Sequence, residues 1–226
     1  MTPHSQEGHP KARLVILISG SGSNLQAFID RCNDNTLDAD IVAVISNKAG
    51  VKGLERAQKA GIATAVLDHK TFESRESFDL ALGDLIESYS PDLVILAGFM
   101  RILTSNFVNH FLGRLMNIHP SLLPKYPGLN THQRAIDAGD KVAGATVHFV
   151  TPELDGGPAI LQARVCIHDR DNADDLAARI LAFEHQIYPM AAQWFCQGRL
   201  KMLDNHVFLD GEKLGETCLL LDEITE

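Results

Sequence analysis

The sequence lacks a CxxC pair and has few cysteines. Its four cysteines are spread widely along 226 residues, as Cys32, Cys166, Cys196 and Cys218. This spacing fits neither a structural zinc site nor the framework of a disulfide-rich secreted domain. We therefore expect reduced thiols that mostly fill the core of a cytoplasmic protein, and we expect no bound metal.

Long apolar runs and a general positive charge are also missing. No apolar stretch approaches the roughly 20 residues that a membrane helix needs, and residues 1–13 contain no apolar segment of the kind found in secretory signals. The formal net charge is −9, so no basic field is available to attract nucleic acid. We expect a protein that binds neither membranes nor nucleic acid and holds any anionic substrate through local groups.

The composition is that of an ordinary globular protein. Hydrophobic residues make up 45% of the chain and charged residues 22%, which suits a soluble domain with a sizeable core. The length suits one large domain. We expect a disordered tail over residues 1–12, one domain over residues 13–214, and a loose acidic tail over residues 215–226.

Buried strands alternate with amphipathic helices in the first half of the chain. The expected strands are residues 13–18, 41–45, 64–67 and 93–97, and the expected helices are residues 23–33, 51–60 and 75–89. Most of the strands are apolar runs rich in Val, Ile and Leu, typical of parallel strands buried on both faces. The alternation predicts an α/β fold with a mostly parallel, twisted, doubly wound sheet and flanking helices.

The second half follows a different pattern. Residues 144–150 and 159–167 are two extended runs joined by a loop, which predicts an antiparallel hairpin. Residues 172–197 carry apolar side chains at steps of three and four, which predicts a long helix. Residues 201–214 predict a small hairpin around an Asp-Gly turn.

The segment around Asn117 and His119 carries the strongest indication of chemistry. The two residues are two positions apart, so both side chains leave the same face if residues 115–118 form a strand. Pro120 and Pro124 end that strand and keep the following loop out of a helix. An amide and an imidazole at a strand end, where parallel sheets expose their ligand crevice, predict a site for proton transfer and oxyanion binding. The alternative is that both side chains satisfy loop backbone groups.

A carboxylate partner for His119 could come from Asp155, in the turn over residues 154–158. If the two meet, the negative charge of Asp155 favours the protonated imidazole that a general acid near neutral pH requires. Asp-Gly is also a common turn pair, and spacing alone does not show that Asp155 reaches His119.

A loop of serines and glycines, residues 19–24, lies between the first strand and the first helix. Free amides at a helix N-terminus attract phosphate or another anion, so the loop is a candidate monophosphate cradle. It lacks the third glycine of a dinucleotide fingerprint, where this chain has Leu25, and it lacks the Walker lysine. A plain Gly/Ser turn is the alternative.

Three further features are candidates for substrate contacts. Residues 97–103 form an apolar run at the mouth of the expected crevice, which suits the packing of a flat ring. Glu184 on the long helix is either an exposed charge, which is the more common case, or a substrate contact. His148 could line the crevice.

Together these motifs resemble the phosphoribosylglycinamide formyltransferase family, the folate-dependent enzymes of purine synthesis. The matching stretches, in order along the chain, are SGSGSN, SNK, AGFMRIL, NIHPSLLPKYPG, GATVHFV, ELDGGP and EHQIYP. The resemblance runs from about Leu14 to Leu214 and implies a Rossmann-like fold. It also implies direct transfer of the formyl group of 10-formyltetrahydrofolate, as co-substrate, to the amine of 5'-phosphoribosylglycinamide.

The resemblance also implies roles for individual residues. Asn117, His119 and Asp155 stand where the family keeps its catalytic side chains, and Glu184 matches a substrate-contacting glutamate. The positions that match the loop binding the ribonucleotide phosphate are Gly22, Ser23 and Asn24. The positions that match folate contacts are Arg75, Met100, Arg101, Ile102, Leu103, Thr151 and Asp155. Pro152 replaces a residue that is usually acidic or aliphatic, which changes the expected shape of the folate loop.

Other functions remain open at this point. A formyltetrahydrofolate hydrolase shares the Asn, His and Asp set but carries an N-terminal regulatory domain, whereas about a dozen residues precede the first strand here. A methionyl-tRNA formyltransferase would need positive charge and a further C-terminal domain. A non-catalytic folate- or phosphate-binding module would not need all three side chains. The expected oligomeric state is a monomer or a homodimer.

Overall fold

The computed structural model of this chain describes residues 10–214 and 219–222. Within them, the chain forms an eight-stranded sheet flanked by helices and a separate three-stranded sheet. The strands are β1 (Ala12–Ile18), β2 (Ala39–Ser46), β3 (Thr64–Val66), β4 (Leu93–Leu96), β5 (Leu115–His119), β6 (Val142–Phe149), β7 (Ala159–Cys166), β8 (Leu200–Leu203), β9 (His206–Leu209), β10 (Glu212–Lys213) and β11 (Leu219–Asp222). The helices are α1 (Ser23–Asn33), α2 (Lys52–Lys59), α3 (Arg75–Glu87), α4 (Ser105–His110), α5 (Thr131–Asp137) and α6 (Ala173–Cys196), with a short 3-10 helix at His69–Thr71.

The large sheet has the strand order β11-β7-β6-β5-β4-β1-β2-β3. Strands β3, β2, β1, β4 and β5 run parallel to one another. Strand β6 is antiparallel to both β5 and β7, and β11 runs parallel to β7. The prediction of a mostly parallel α/β sheet with an antiparallel hairpin in the second half is confirmed.

Side chains of β1 alternate between two hydrophobic clusters. Leu14, Ile16 and Ile18 pack on one face of the sheet with residues of α1 and α6, whereas Val15 and Leu17 pack on the other face with residues of α3 and α4. All five side chains are fully buried. Because both faces of the strand are covered here, every position from Leu14 to Ile18 is apolar, as expected for a central parallel strand.

The strand order reverses around β1. Strands β1, β2 and β3 follow one another towards one edge of the sheet, and the chain then returns to place β4 on the other side of β1. The loops after β1 and β4 therefore leave the same end of the sheet side by side, and the amide of Ser19 donates to the carbonyl of Gly98 at 3.1 Å. Such a switch point forms a crevice, and the end of β5 lies beside it because β5 pairs with β4.

Helix α6 begins at a capping box, which agrees with the predicted start. The side chain of Asn172 accepts hydrogen bonds from the amides of Asp174 and Asp175, and the Asp175 carboxylate accepts one from the amide of Asn172. The helix packs against α1, α5, β6 and β7. Although α6 has 24 residues, no helix within the described residues is both long and apolar enough to cross a bilayer.

The two predicted tails need correction where the structure describes them. Strand β1 begins at Ala12, which pairs with Ala39, so the strand starts inside the predicted tail of residues 1–12. In the predicted loose tail of residues 215–226, strand β11 pairs with β7. The carboxylate of Asp222 accepts two hydrogen bonds from Arg164, at 2.7 and 3.0 Å, which reinforces this pairing. Residues 1–9, 215–218 and 223–226 of these two predicted tails lie outside the described residues.

The region after α6 and two short helices also differ from expectation. The predicted hairpin over residues 201–214 is a three-stranded antiparallel sheet of β8, β9 and β10. Its two turns, Asp204-Asn205 and Asp210-Gly211, have positive φ at both positions, as in type I′ hairpin turns. Helices α4 and α5 were not predicted, because segments of six and seven residues show too little periodicity.

Candidate active site

Asn117 and His119 lie on β5 with their side chains on the same face of the sheet, as predicted. In the antiparallel ladder with β6, Asn117 is paired with His148 and His119 with Thr146. Residues directly opposite each other in such a ladder point to the same face. The four side chains therefore lie together at the end of β5 that borders the crevice.

The structure brings Asp155 to His119. Oδ2 of Asp155 lies 3.6 Å from Nδ1 of His119, and the two side chains are 9% and 7% exposed. This separation is typical of an ion pair and is too long for a hydrogen bond. The amide of Gly128 donates to the same carboxylate oxygen at 2.9 Å, which holds the carboxylate beside the ring.

The other ring nitrogen of His119 is held by Tyr126. Nε2 lies 2.9 Å from the carbonyl oxygen of Tyr126, and because this oxygen can only accept, Nε2 donates. The hydroxyl of Tyr126 donates to Asp140 at 2.8 Å. The sequence analysis did not predict a role for Tyr126, and the only available signal was its place between Pro124 and Pro127 in a stiff loop.

Asn117 is held by its neighbour on β6. Nδ2 of Asn117 lies 3.2 Å from Nε2 of His148, and Nδ1 of His148 lies 2.9 Å from the carbonyl oxygen of Phe149. His148 is buried, and this burial lowers its pKa. The contact places His148 on the same face as the candidate catalytic residues.

The loop after β1 leads directly into α1, with Gly22 at the N-cap. Gly22 has a φ of 68° and provides no side chain that could cap the helix. The amides of Ser23 and Asn24, in the first turn, therefore have no capping side chain. A Cβ atom at Gly22 would lie 2.7 Å from the Cα of Gly53, so this position accommodates only glycine. Such a loop has the geometry expected for anion binding.

The side chains of Asn24 and Glu184 meet inside the protein. Nδ2 of Asn24 donates to Oε2 of Glu184 at 2.8 Å, and the two residues are 8% and 7% exposed. Burial raises the pKa of Glu184, and the hydrogen bond from Asn24 lowers it. Of the two interpretations of Glu184, an exposed charge or a substrate contact, the burial excludes the exposed charge. Oδ1 of Asn24 is buried without a hydrogen-bond partner in the described part of the chain, so it can accept a bond from a ligand.

Exposed apolar side chains lie on two loops at the crevice mouth. Met100 and Ile102 are 62% and 59% exposed in the loop after β4, and Leu154 is 57% exposed in the loop after β6. Leu103 and Thr151 are half-buried in the same two loops. Apolar side chains left exposed in this way suit the packing of a flat ring, as the sequence predicts.

Two arginines among the predicted folate contacts lie on α3 and on the loop after β4. Arg75 is exposed at the start of α3. The guanidinium carbon of Arg101 lies 5.7 Å from the centre of the Phe78 ring. Nε of Arg101 is buried without a hydrogen-bond partner among residues 10–214 and 219–222, so it remains a possible donor.

The loop after β4 is anchored by Ser19. Oγ of Ser19 accepts a hydrogen bond from the amide of Met100 at 2.8 Å and donates to Oδ1 of Asn47 at 2.6 Å. Nδ2 of Asn47 lies 3.3 Å from Nδ1 of His69. This network joins the ends of β1 and β2 to the apolar loop. The sequence analysis included Ser19 in the loop after β1 but missed this contact.

The assembled side chains provide proton donors, a carboxylate and an amide, which suffices for proton transfer and oxyanion binding. Within the described ranges, no group of three or more His, Cys, Asp or Glu side chains is arranged to hold a metal ion.

Comparisons with known proteins agree with this geometry. The formyl transferase family model matches residues 12–192. The chain is 55% identical over 210 residues to phosphoribosylglycinamide formyltransferase from Escherichia coli, covering 93% of this chain and 99% of that protein. It is 50% identical over 202 residues to the enzyme of the same name from Haemophilus influenzae, covering 89% and 95%. The solved structure of phosphoribosylglycinamide formyltransferase from Coxiella burnetii superimposes with a TM-score of 0.89 at 49% identity, covering 93% of this chain and 99% of that chain.

Proposed function

The chain belongs to the formyl transferase family and is an enzyme that transfers a formyl group, and we propose that Asn117, His119 and Asp155 perform this transfer. The donor is 10-formyltetrahydrofolate and the acceptor is the amine of phosphoribosylglycinamide. The observation that carries the proposal is the approach of Asp155 to His119, at 3.6 Å, beside Asn117 at the crevice.

The reaction forms one bond and breaks one. The acceptor amine attacks the formyl carbon, a carbon–nitrogen bond forms, and the formyl oxygen takes up negative charge. The tetrahedral intermediate then releases the folate nitrogen, which gains a proton while the former amine loses one. No serine or cysteine stands beside a base in a nucleophile motif, so we propose direct transfer without a covalent enzyme intermediate.

His119 and Asn117 stabilise the negative oxygen in this mechanism. The 3.6 Å separation from Asp155 leaves a proton on Nδ1 of His119 available to the formyl oxygen. One N–H of Asn117 supplies a second donor. Removing a single donor of this kind usually lowers turnover by roughly 10²–10³.

Asp155 acts through charge and position. In the protonated ring of His119, both nitrogens face oxygen acceptors, Nε2 the carbonyl of Tyr126 and Nδ1 the carboxylate of Asp155. The carboxylate lies against the ring that donates to the formyl oxygen and fixes its orientation. Protons then pass to the leaving nitrogen through water.

The ribonucleotide is held at the other side of the crevice. Its phosphate binds the uncapped amides of Gly22, Ser23 and Asn24, because the positive end of α1 attracts an anion. The unpartnered Oδ1 of Asn24 accepts a hydrogen bond from the ribonucleotide. Glu184 contributes by fixing Asn24 through the 2.8 Å hydrogen bond.

The folate lies over the apolar mouth. The exposed side chains of Met100 and Ile102 cover the flat ring, and Leu103 borders it. Backbone groups of residues 151–155 contact it from the loop after β6. Arg101 and the exposed Arg75 supply positive charge for the acidic end of the molecule.

One assay separates the proposed transfer from its alternatives. The protein is mixed with 10-formyltetrahydrofolate, with and without phosphoribosylglycinamide, and the folate absorbance is followed. Loss of the formyl group only with the ribonucleotide supports the transferase. Loss without it indicates a hydrolase, and no loss under either condition indicates a non-catalytic binding module.

The cellular location, the oligomeric state and the domain organisation are proposals as well. We propose a cytoplasmic location, a monomer or homodimer, and a single formyltransferase domain that begins at β1 and includes β11. Cell fractionation, sedimentation and limited proteolysis test them in turn.

A further inference from the structure

His148 has a fixed proton position. It lies opposite Asn117 on β6 and is 2% exposed. Its Nδ1 atom lies 2.9 Å from the carbonyl oxygen of Phe149. Because a carbonyl oxygen can only accept, Nδ1 carries a proton.

The surroundings of His148 favour a neutral ring. Burial lowers the pKa of His148 and the positive charge of His119 acts in the same direction, whereas the Phe149 carbonyl and the Asp155 carboxylate act against it. These groups face the ring from β5, from β6 and from the loop after β6. A neutral imidazole with its proton on Nδ1 presents a lone pair at Nε2.

That lone pair decides how the Asn117 amide is oriented. Nε2 of His148 lies 3.2 Å from the Asn117 side chain. An acceptor at this place can pair with the amide nitrogen but not with the amide oxygen. One N–H of Asn117 therefore points to His148, and the second remains for a substrate.

We propose that His148 is a positioning residue that holds the Asn117 amide with its nitrogen toward the formyl oxygen. The inference rests on the proposed role of Asn117 in formyl transfer. The reverse orientation would place the Asn117 oxygen beside the developing negative charge, which would oppose the reaction instead of assisting it. His148 thus acts on turnover without touching the substrate.

Two matched substitutions test this role. His148→Met fills the space but provides no acceptor, and His148→Gln provides an oxygen near the place of Nε2. We expect His148→Met to lower kcat by about 10-fold to 100-fold, somewhat less than the loss of a donor, with KM values for both substrates within about threefold. We expect His148→Gln to restore most of kcat. Equal activity of the two variants after correction for folded fraction would overturn the proposal.

A double-mutant cycle separates this role from a purely structural one. If His148 acts through Asn117, His148→Met has no further effect on kcat in an Asn117→Ala background. A structural role would lower kcat by the same factor in both backgrounds and would overturn the inference. If His148→Met does not fold, His148→Asn replaces it, since its short side chain can still donate to the Phe149 carbonyl but does not reach Asn117.

The wild-type enzyme distinguishes this inference from the proposed function. If wild-type protein fails to deformylate the folate in the presence of ribonucleotide, the proposed function fails. If wild-type protein is active and His148→Met keeps its full kcat, only the positioning role of His148 fails.

Discussion

Nδ2 of Asn24 donates a 2.8 Å hydrogen bond to Oε2 of Glu184, which lies 160 positions away in the sequence. The bond connects the first turn of α1, next to the proposed phosphate site, to the middle of α6. Both side chains are buried. The ionisation of Glu184 is therefore coupled to the shape of the loop that receives the ribonucleotide.

The Glu184→Gln variant is expected to lose less stability than wild type as the pH rises, because wild type must then bury a charged carboxylate. Burial raises the pKa of Glu184, so the folded protein binds this proton more tightly than the unfolded chain does. The stability contributed by the neutral carboxyl is fully present below the ordinary value of 4.5 and is lost as the pH rises through the raised folded pKa. Urea unfolding at about pH 5 and about pH 8 measures the difference.

Glu87→Gln is the control for this experiment. The hydrogen bond from Arg114 lowers the pKa of Glu87, so its contribution is present above the ordinary value of 4.5 and is lost as the pH falls through the lowered folded pKa. The Glu87 variant should therefore be less stable than wild type at neutral pH. A Glu184 variant that behaves like the Glu87 variant would contradict the assignment.

Replacing Asp155 by Asn is expected to lower kcat by roughly 10²–10³, because the negative charge beside His119 is lost. The amide oxygen of the new residue can still accept the Gly128 hydrogen bond, so the loop should keep its shape. Affinity for the ribonucleotide, measured by calorimetry, should stay within about threefold of wild type. Such a change corresponds to less than about 1 kcal/mol of binding free energy. A comparable loss in both quantities would argue against separate roles.

Replacing Gly22 by Ala is expected to raise KM for the ribonucleotide more than KM for the folate. The new Cβ would meet the Cα of Gly53 at 2.7 Å, so the loop and its amides must shift. Gly61→Ala is the matched control, because Gly61 also has a positive φ, +73°, but has open space around its Cβ position. Both variants should lose roughly 1–2 kcal/mol of stability from the left-handed backbone. An unchanged KM in the Gly22 variant would mean that the loop is only structural.

Replacing Ser19 by Ala is expected to raise KM for the folate. The change removes the acceptor for the Met100 amide and the donor to Asn47, so the apolar loop after β4 loses its anchor. Leaving the buried side-chain oxygen of Asn47 without a donor should destabilise the protein by about 1–3 kcal/mol. Steady-state kinetics with varied folate and thermal unfolding measure both effects. A loss of stability with an unchanged folate KM would limit Ser19 to a structural role.

Much of the fold follows from local patterns. The apolar runs of β1 and β4 are uninterrupted, so the sequence predicts strands that are buried on both faces. The spacing of Asn117 and His119 predicts their common face, because side chains alternate along a strand. The start of α6 is encoded by Asn172 and Asp175, which act within one helical turn.

The remaining features depend on contacts between distant segments. Tyr126 holds His119 through its backbone carbonyl. Any residue type can make such a backbone contact, so the sequence does not reveal it. The burial of Glu184 depends on how α6 packs against α1, which periodicity does not reveal. Asp155 lies 36 positions after His119, in a loop with a φ of 51° at that residue, so sequence spacing could suggest the pair but not establish it.

Strand β11 occupies one margin of the large sheet, alongside β7. Without it, β7 would lose its pairing partner along Leu161 to Arg164 and would present free backbone groups there. An unpaired edge strand can form hydrogen bonds with strands of neighbouring molecules, which promotes aggregation. Removing residues 219–222 would therefore lower the solubility of the enzyme at high concentration, even if its catalytic side chains stayed in place.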